Sequence, residues 1–148
     1  MPELPRVVVG LAKQHHTWEL VEASGAFALH LLGERHIEWA WRFRLSTGHD
    51  GDKFVGLPVR PGKCPLLDDA LGWLECQVEA KLDTGDRTLY LAEVMDGQTH
   101  GDDKPLTVQR MLQLAPADKR AELKRQMLRD AAVDAEAIRA WRPRMTGD

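Results

Sequence analysis

The chain has 148 residues, 43% hydrophobic and 29% charged, enough apolar content for one globular domain with a core and too much for a disordered tail. Its 20 Lys and Arg stand against 23 Asp and Glu, a scattered net charge of −3 that speaks against generic nucleic-acid binding. Two cysteines outside any metal-ligand spacing, no signal-peptide pattern and no apolar run near the roughly 18 residues of a membrane span point to a cytoplasmic protein with reduced thiols and no membrane partner.

Pro5 opens the run R-V-V-V-G-L-A, Arg6 to Ala12, which reads as a strand buried on both faces. Thr17 is the expected N-cap of a short helix W-E-L-V-E-A-S, with Glu19 and Glu22 near its positive end and Gly25 as its stop. Ala26 to Leu32 reads as a second strand, and Glu34 to Ser46 places Ile37, Ala40, Trp41 and Leu45 at helical spacing. The glycine- and proline-rich stretch from Thr47 to Gly62 is expected to be an ordered loop. Leu71 to Lys81 and Thr88 to Met95 then form an antiparallel pair around the hairpin turn D-T-G-D-R. Past the polar break Q-T-H-G-D-D-K-P, three helices are expected: Leu106 to Leu114, Pro116 to Ala132 with Pro116 at a first-turn position, and a short one from Asp134 to Trp141.

The junction between the first strand and the first helix carries the chemistry that stands out. Lys13 is a point cation, the N–H groups around Thr17 are donors at a positive helix end, and His15 and His16 add donors whose charge follows pH, so the set reads as a phosphate seat. A solvated loop with a threonine cap explains the same residues, and spacing alone leaves both readings open. Other constellations are weaker. His30 and His36 show no zinc pattern, and His30 reads as a strand residue with a local partner. The five tryptophans, Trp18, Trp39, Trp41, Trp73 and Trp141, read as core or interface anchors, and Ser24 and Ser46 lack a nucleophile motif. The C-terminal helix combines charges at i,i+4 spacing with an apolar stripe at Leu123, Met127 and Leu128, a solvated face or a dimer contact.

Five ordered motifs, P-R-V-V-V-G-L-A-K-x-x-x-T, S-G-A-F-A-L-H-L-L, G-D-K-F-x-G, P-L-L-D-D-A-L-G-W-L-E-C-Q-V and T-G-D-R-T-L-Y-L-A-E-V, together resemble the flavin reductase-like, FMN-binding split-barrel family over Pro5 to Val94. The resemblance implies a mainly β fold with helices: a six-stranded Greek-key split barrel over residues 1–98, with a helical extension over residues 105–142. It implies a homodimer with one FMN per subunit at or near the interface, NAD(P)H as reductant, and free flavin, an oxygenase or another acceptor as the electron partner. By the same resemblance Lys13, Gln14, His15, His16 and Thr17 approach the flavin phosphate. Gly51, Asp52, Lys53 and Phe54 match the family's G-D-K-F loop, with Lys53 toward phosphate or ring edge and Phe54 as a wall; a glycine turn with a buried Phe anchor explains Asp52 and Phe54 equally well. Arg87 stands where family reductases often carry a histidine beside the nicotinamide, and there it implies substrate-side electrostatics. The family pattern also carries about 30 to 40 residues ahead of the first strand, including a hairpin. Four residues precede Pro5 here, so the expectation is either a barrel short of that hairpin that compensates by dimer contacts or a start that lies inside a longer natural reading frame. A dimeric binding protein without productive flavin binding and an FMN electron carrier without an NAD(P)H site are the alternative readings.

Overall fold

The computed structural model describes residues 2–45 and 52–147. Ser46, the first part of the expected loop and Gly51 therefore lie outside the described residues.

Four strands make one antiparallel sheet in the order β1-β6-β5-β2: β1 Arg6–Ala12, β2 Ala26–Leu31, β5 Gly72–Asp83 and β6 Arg87–Thr99. A separate two-stranded ribbon pairs β3 Val59–Arg60 with β4 Leu66–Leu67. The expected hairpin is the spine of the fold, and its register slips between Glu75 and Cys76 and again between Val78 and Ala80. Such bulges add local twist, and the sheet curls into a half-barrel. Among the described residues the strands thus form this curled half-barrel sheet and the ribbon, with helices around them, the mainly β fold with helices that the resemblance implied.

The core lies in the cup of that sheet. Phe27, Cys76, Tyr90 and Ala92 are buried there, and α1, His16–Ser24, lays Val21 and Trp18 across them. Polar contacts fix the helix on the sheet: Trp18 Nε1 donates to Thr88 Oγ1 at 2.9 Å, and Tyr90 Oη donates to Glu22 Oε1 at 2.6 Å. Lys81 Nζ reaches the other Glu22 oxygen at 2.7 Å. The first strand differs from its expectation, because α1 covers only one of its faces. Val7, Val9 and Leu11 pack inward, whereas Val8 stays 64% exposed.

A single 3-10 turn at Glu34–His36 leads into α2, Ile37–Leu45, which buries Trp41 against Ala115 and Leu123. Helix α3, Val108–Leu114, is capped by Thr107, whose side chain accepts from the Arg110 N–H at 3.1 Å. The two last expected helices are one, α4, Ala117–Thr146, with Pro116 as N-cap. No glycine or proline separates Ala132 from Asp134, and the Asp134 side chain is engaged by Gln14 and Arg87, so it does not compete for its own backbone. Of the expected stripe on this helix only Leu123 is buried; Met127 and Leu128 are exposed. His30 does have a local partner, accepting from the Leu67 N–H through Nε2 at 3.0 Å, and burial holds its pKa below the usual histidine value. Among the described residues no helix is long and apolar enough to cross a membrane.

Candidate functional site

Three segments meet at one end of the sheet: the loop Lys13 to His15, the hairpin turn Asp83 to Arg87, and the second half of α4. The pairing of Ala12 with Arg87 brings the first two together, and the Lys13 N–H donates to the Asp86 carbonyl at 2.9 Å. Gly85 makes the turn at φ 96°, where a side chain is strained, and a Cβ there would lie 3.0 Å from Trp141 Cβ. The end of α4 thus sits directly on the turn.

Each cation in this patch has a carboxylate. Lys13 Nζ donates to Asp83 Oδ1 at 2.7 Å, and that contact, with the Gly85 N–H, holds the Asp83 carboxyl below its usual range. Arg87 Nε donates to Asp86 Oδ2 at 2.9 Å and Arg87 Nη2 lies 3.5 Å from Asp134 Oδ2. Burial pushes the Asp86 carboxyl up, but the Arg87 guanidinium, the backbone N–H of Asp86 itself and Thr84 outweigh it and hold the group low. The hydrogen bond to Asp86 likewise raises the Arg87 pKa above its ordinary value, so the guanidinium stays charged.

Helix α4 closes the third side. Gln14 Nε2 donates to Asp134 Oδ1 at 2.8 Å and to the Asp130 carbonyl at 3.4 Å, and His15 Nε2 lies 3.8 Å from Asp130 Oδ2. His16 turns away and hydrogen-bonds Glu19 Oε2 through Nδ1 at 2.8 Å. Thr17 is not the cap: His15 occupies that position with φ −92° and ψ 141° and makes no side-chain cap bond, and Thr17 is exposed in the first turn. The loop's ties to α4 and to the turn set where the chain bends, and they override the better capping chemistry of threonine.

The structure therefore gathers Lys13, Gln14, His15 and Arg87 in one patch and leaves Asp52, Lys53 and Phe54 of the matched segment elsewhere. Asp52 is exposed and its Oδ1 accepts from the Phe54 N–H at 2.8 Å. Lys53 Nζ donates to the Phe43 carbonyl at 2.9 Å, and Phe54 packs edge-on to Phe43 with ring centroids 5.2 Å apart. This group belongs to the C-terminal end of α2. An open groove of about 330 Å³ lies beside it, lined by Glu38, Trp41, Arg42, Leu45 and Lys119 and containing none of the junction residues. Sequence reasoning missed the four carboxylates of the patch. Asp130 and Asp134 carried a usable signal, since i,i+4 spacing puts both on one face of a helix.

Both the sequence and the fold have counterparts among known proteins. The family model described as "Flavin reductase like domain" matches residues 2–113. The chain is 31% identical over 106 residues to the Ferric-chelate reductase (NAD(P)H) of Archaeoglobus fulgidus, covering 69% of this chain and 63% of that protein. It is 30% identical over 94 residues to HsaB of Mycobacterium tuberculosis, the reductase subunit of a flavin-dependent monooxygenase, covering 62% of this chain and 49% of that one. Among solved structures, a flavin reductase domain protein from Arthrobacter sp. FB24 superposes with a TM-score of 0.62 at 27% identity, over 69% of this chain and 63% of that one. The chain spans less than two thirds of the length of these curated relatives. A half-barrel sheet with a C-terminal helix, together with a family match over most of its length, makes this chain a member of the flavin reductase-like family.

Proposed function

We propose that this protein is an FMN-binding flavoprotein that acts as an NAD(P)H:flavin oxidoreductase. One observation carries the reading: in a chain of this family, an ammonium, an amide, an imidazole and a guanidinium converge on a single patch at the strand-to-helix junction. This donor set fits an anionic phosphate ester. Lys13 and the exposed Thr17 hold the phosphate, Gln14 and His15 add donors while His16 is turned toward Glu19, and Arg87 supplies positive charge on the nicotinamide side. Bound flavin supplies the hydride-accepting and hydride-donating chemistry. The chain's own task is to bind, orient and balance charge, for which no acid–base pair of side chains is needed.

A homodimer is part of the reading. Val8 and Leu82 are 64% and 60% exposed on the uncovered face of the sheet, in register with Leu91 and Leu89, and a second copy would cover them. We read residues 1–98 as the split-barrel domain and 105–142 as the extension packed on it. Asp52, Lys53 and Phe54 lie away from the patch within one chain, and an interfacial flavin gives them a role in a neighbouring subunit's site. HsaB is the reductase subunit of a monooxygenase, which supports an oxygenase as electron acceptor for this cytoplasmic protein. The carboxylate pairing of the cations favours a second reading, a dimeric member that no longer binds flavin productively.

Titration of the purified chain with FMN, followed by flavin fluorescence and the visible spectrum, tests the proposal. Saturable binding at one flavin per subunit and bleaching by NADH or NADPH are expected. Binding without bleaching leaves an electron carrier, and no binding to a dimeric protein establishes the second reading.

A further inference from the structure

Building on the flavin reading, we propose that α4 is a carboxylate latch on the phosphate-facing donors, so that Asp130 and Asp134 determine how much a flavin's phosphate adds to its binding. Lys13 and Arg87 already have counter-charges within the sheet, from Asp83 and Asp86. The two carboxylates of α4 add to these, beside His15 and Arg87. They sit one helical turn apart, with side chains 26% and 21% exposed, and both face the junction. Asp134 takes the Gln14 amide with one oxygen and approaches Arg87 with the other. Asp130 takes a second Gln14 contact through its carbonyl and stands beside His15 with its carboxylate.

A phosphate dianion drawn to Gln14, His15 and Arg87 meets Asp130 and Asp134 as like charges on the α4 side, whereas Asp83 and Asp86 stay paired with Lys13 and Arg87 within the sheet. Its entry turns Asp134 and Asp130 away or lifts this part of α4 from the junction. Trp141 on Gly85 anchors the helix beyond that point, so the segment between resists displacement. Riboflavin has the same ring system and no phosphate, and it meets no such repulsion. The helix thus lowers discrimination in favour of phosphorylated flavins without touching the ring.

The test compares FMN with riboflavin on the full chain and on Asp134→Asn, which removes the charge and keeps an oxygen to accept from Gln14. Asp130→Asn is the second variant, and circular dichroism verifies the fold of each. The expected result is FMN binding tighter by about tenfold, the scale of one charge-assisted contact, with riboflavin binding unchanged. An unaltered ratio of FMN to riboflavin affinity in both variants overturns the latch, as does an equal change for both ligands, which a purely structural role would give. If neither flavin binds any of the three proteins, the flavin reading itself fails. The latch is then judged on pyrophosphate alone, where tighter binding by the variants upholds it and equal binding overturns it.

Discussion

Replacing Tyr90 by phenylalanine removes one oxygen from the contact that holds α1, and the site's junction with it, on the sheet. The ring is 1% exposed and stays in place, while the hydroxyl's 2.6 Å bond to Glu22 is lost. A hydrogen bond to a charged partner contributes about 1.5 to 3 kcal/mol, and for a chain of this size each kcal/mol moves Tm by about 2 to 4 °C. Tyr90→Phe is therefore expected to melt roughly 3 to 12 °C lower at pH 7. Burial and the Glu22 hydrogen bond push the phenol pKa up to about 12. Because the folded state holds this proton more tightly than the unfolded chain, the stabilisation is complete below about pH 10 and is lost as pH rises toward 12. That amounts to about 1.4 kcal/mol per unit, or 2 to 3 kcal/mol in all. Urea unfolding of both proteins at pH 7, 10 and 11.5, read by tryptophan fluorescence, should show the deficit of the variant shrinking at high pH. A deficit under about 0.5 kcal/mol at pH 7, or one of equal size at pH 11.5, would refute the reasoning.

Glu22 gives the acid counterpart: Lys81 first, then Tyr90, hold its carboxyl low, so the stability it contributes is present above about pH 4.5 and disappears as pH falls through its folded pKa. Glu22→Gln should flatten the acid limb of the stability curve, and an unchanged limb would contradict this. Lys13→Ala should weaken FMN binding by about 1 to 3 kcal/mol; an unchanged affinity in a titration removes Lys13 from the site. Arg87→Ala should depress NAD(P)H oxidation more than FMN affinity, and equal losses would contradict its place on the nicotinamide side. Gly85→Ala forces a side chain into a φ of 96° against Trp141 and should cost about 1 to 3 kcal/mol. The same variant should speed amide exchange along the last turns of α4, and wild-type exchange there would show that the turn does not anchor the helix.

How far such a site can be read from sequence depends on the range of its contacts. The hairpin was legible because its alternation and its D-T-G-D-R turn are local, whereas the neighbourhood of Lys13 and Arg87 was not, because it comes from the pairing of β1 with β6 across 75 to 87 positions. Which face of β1 is covered was not legible, since V-V-V-G-L reads as apolar on both sides until α1 is laid over Val7 and Val9. Helix starts follow caps only where nothing stronger intervenes. Thr107 caps α3 as its chemistry favours, but Thr17 loses to a loop tied down by residues more than 100 positions away. The carboxylates opposite Gln14 and His15 were hidden for the same reason. A solvated helix face and a helix face docked on a loop have the same sequence pattern, and only the fold distinguishes them.

The strand order also sets a timetable for synthesis. Arg6 to Ala12 finds its partners 75 to 87 positions later in the chain, which at about 5 to 20 residues per second is a wait of roughly 4 to 17 s. During that interval this β-branched segment is outside the ribosome, or close to leaving it, without the strand it pairs with here. The β5–β6 hairpin, closed by a short turn, is the element able to form at once, and it offers the edge that captures β1. Pairing of β1 therefore waits on the later hairpin, and a chaperone holding Arg6 to Ala12 would act on a step where an unpaired strand is open to aggregation.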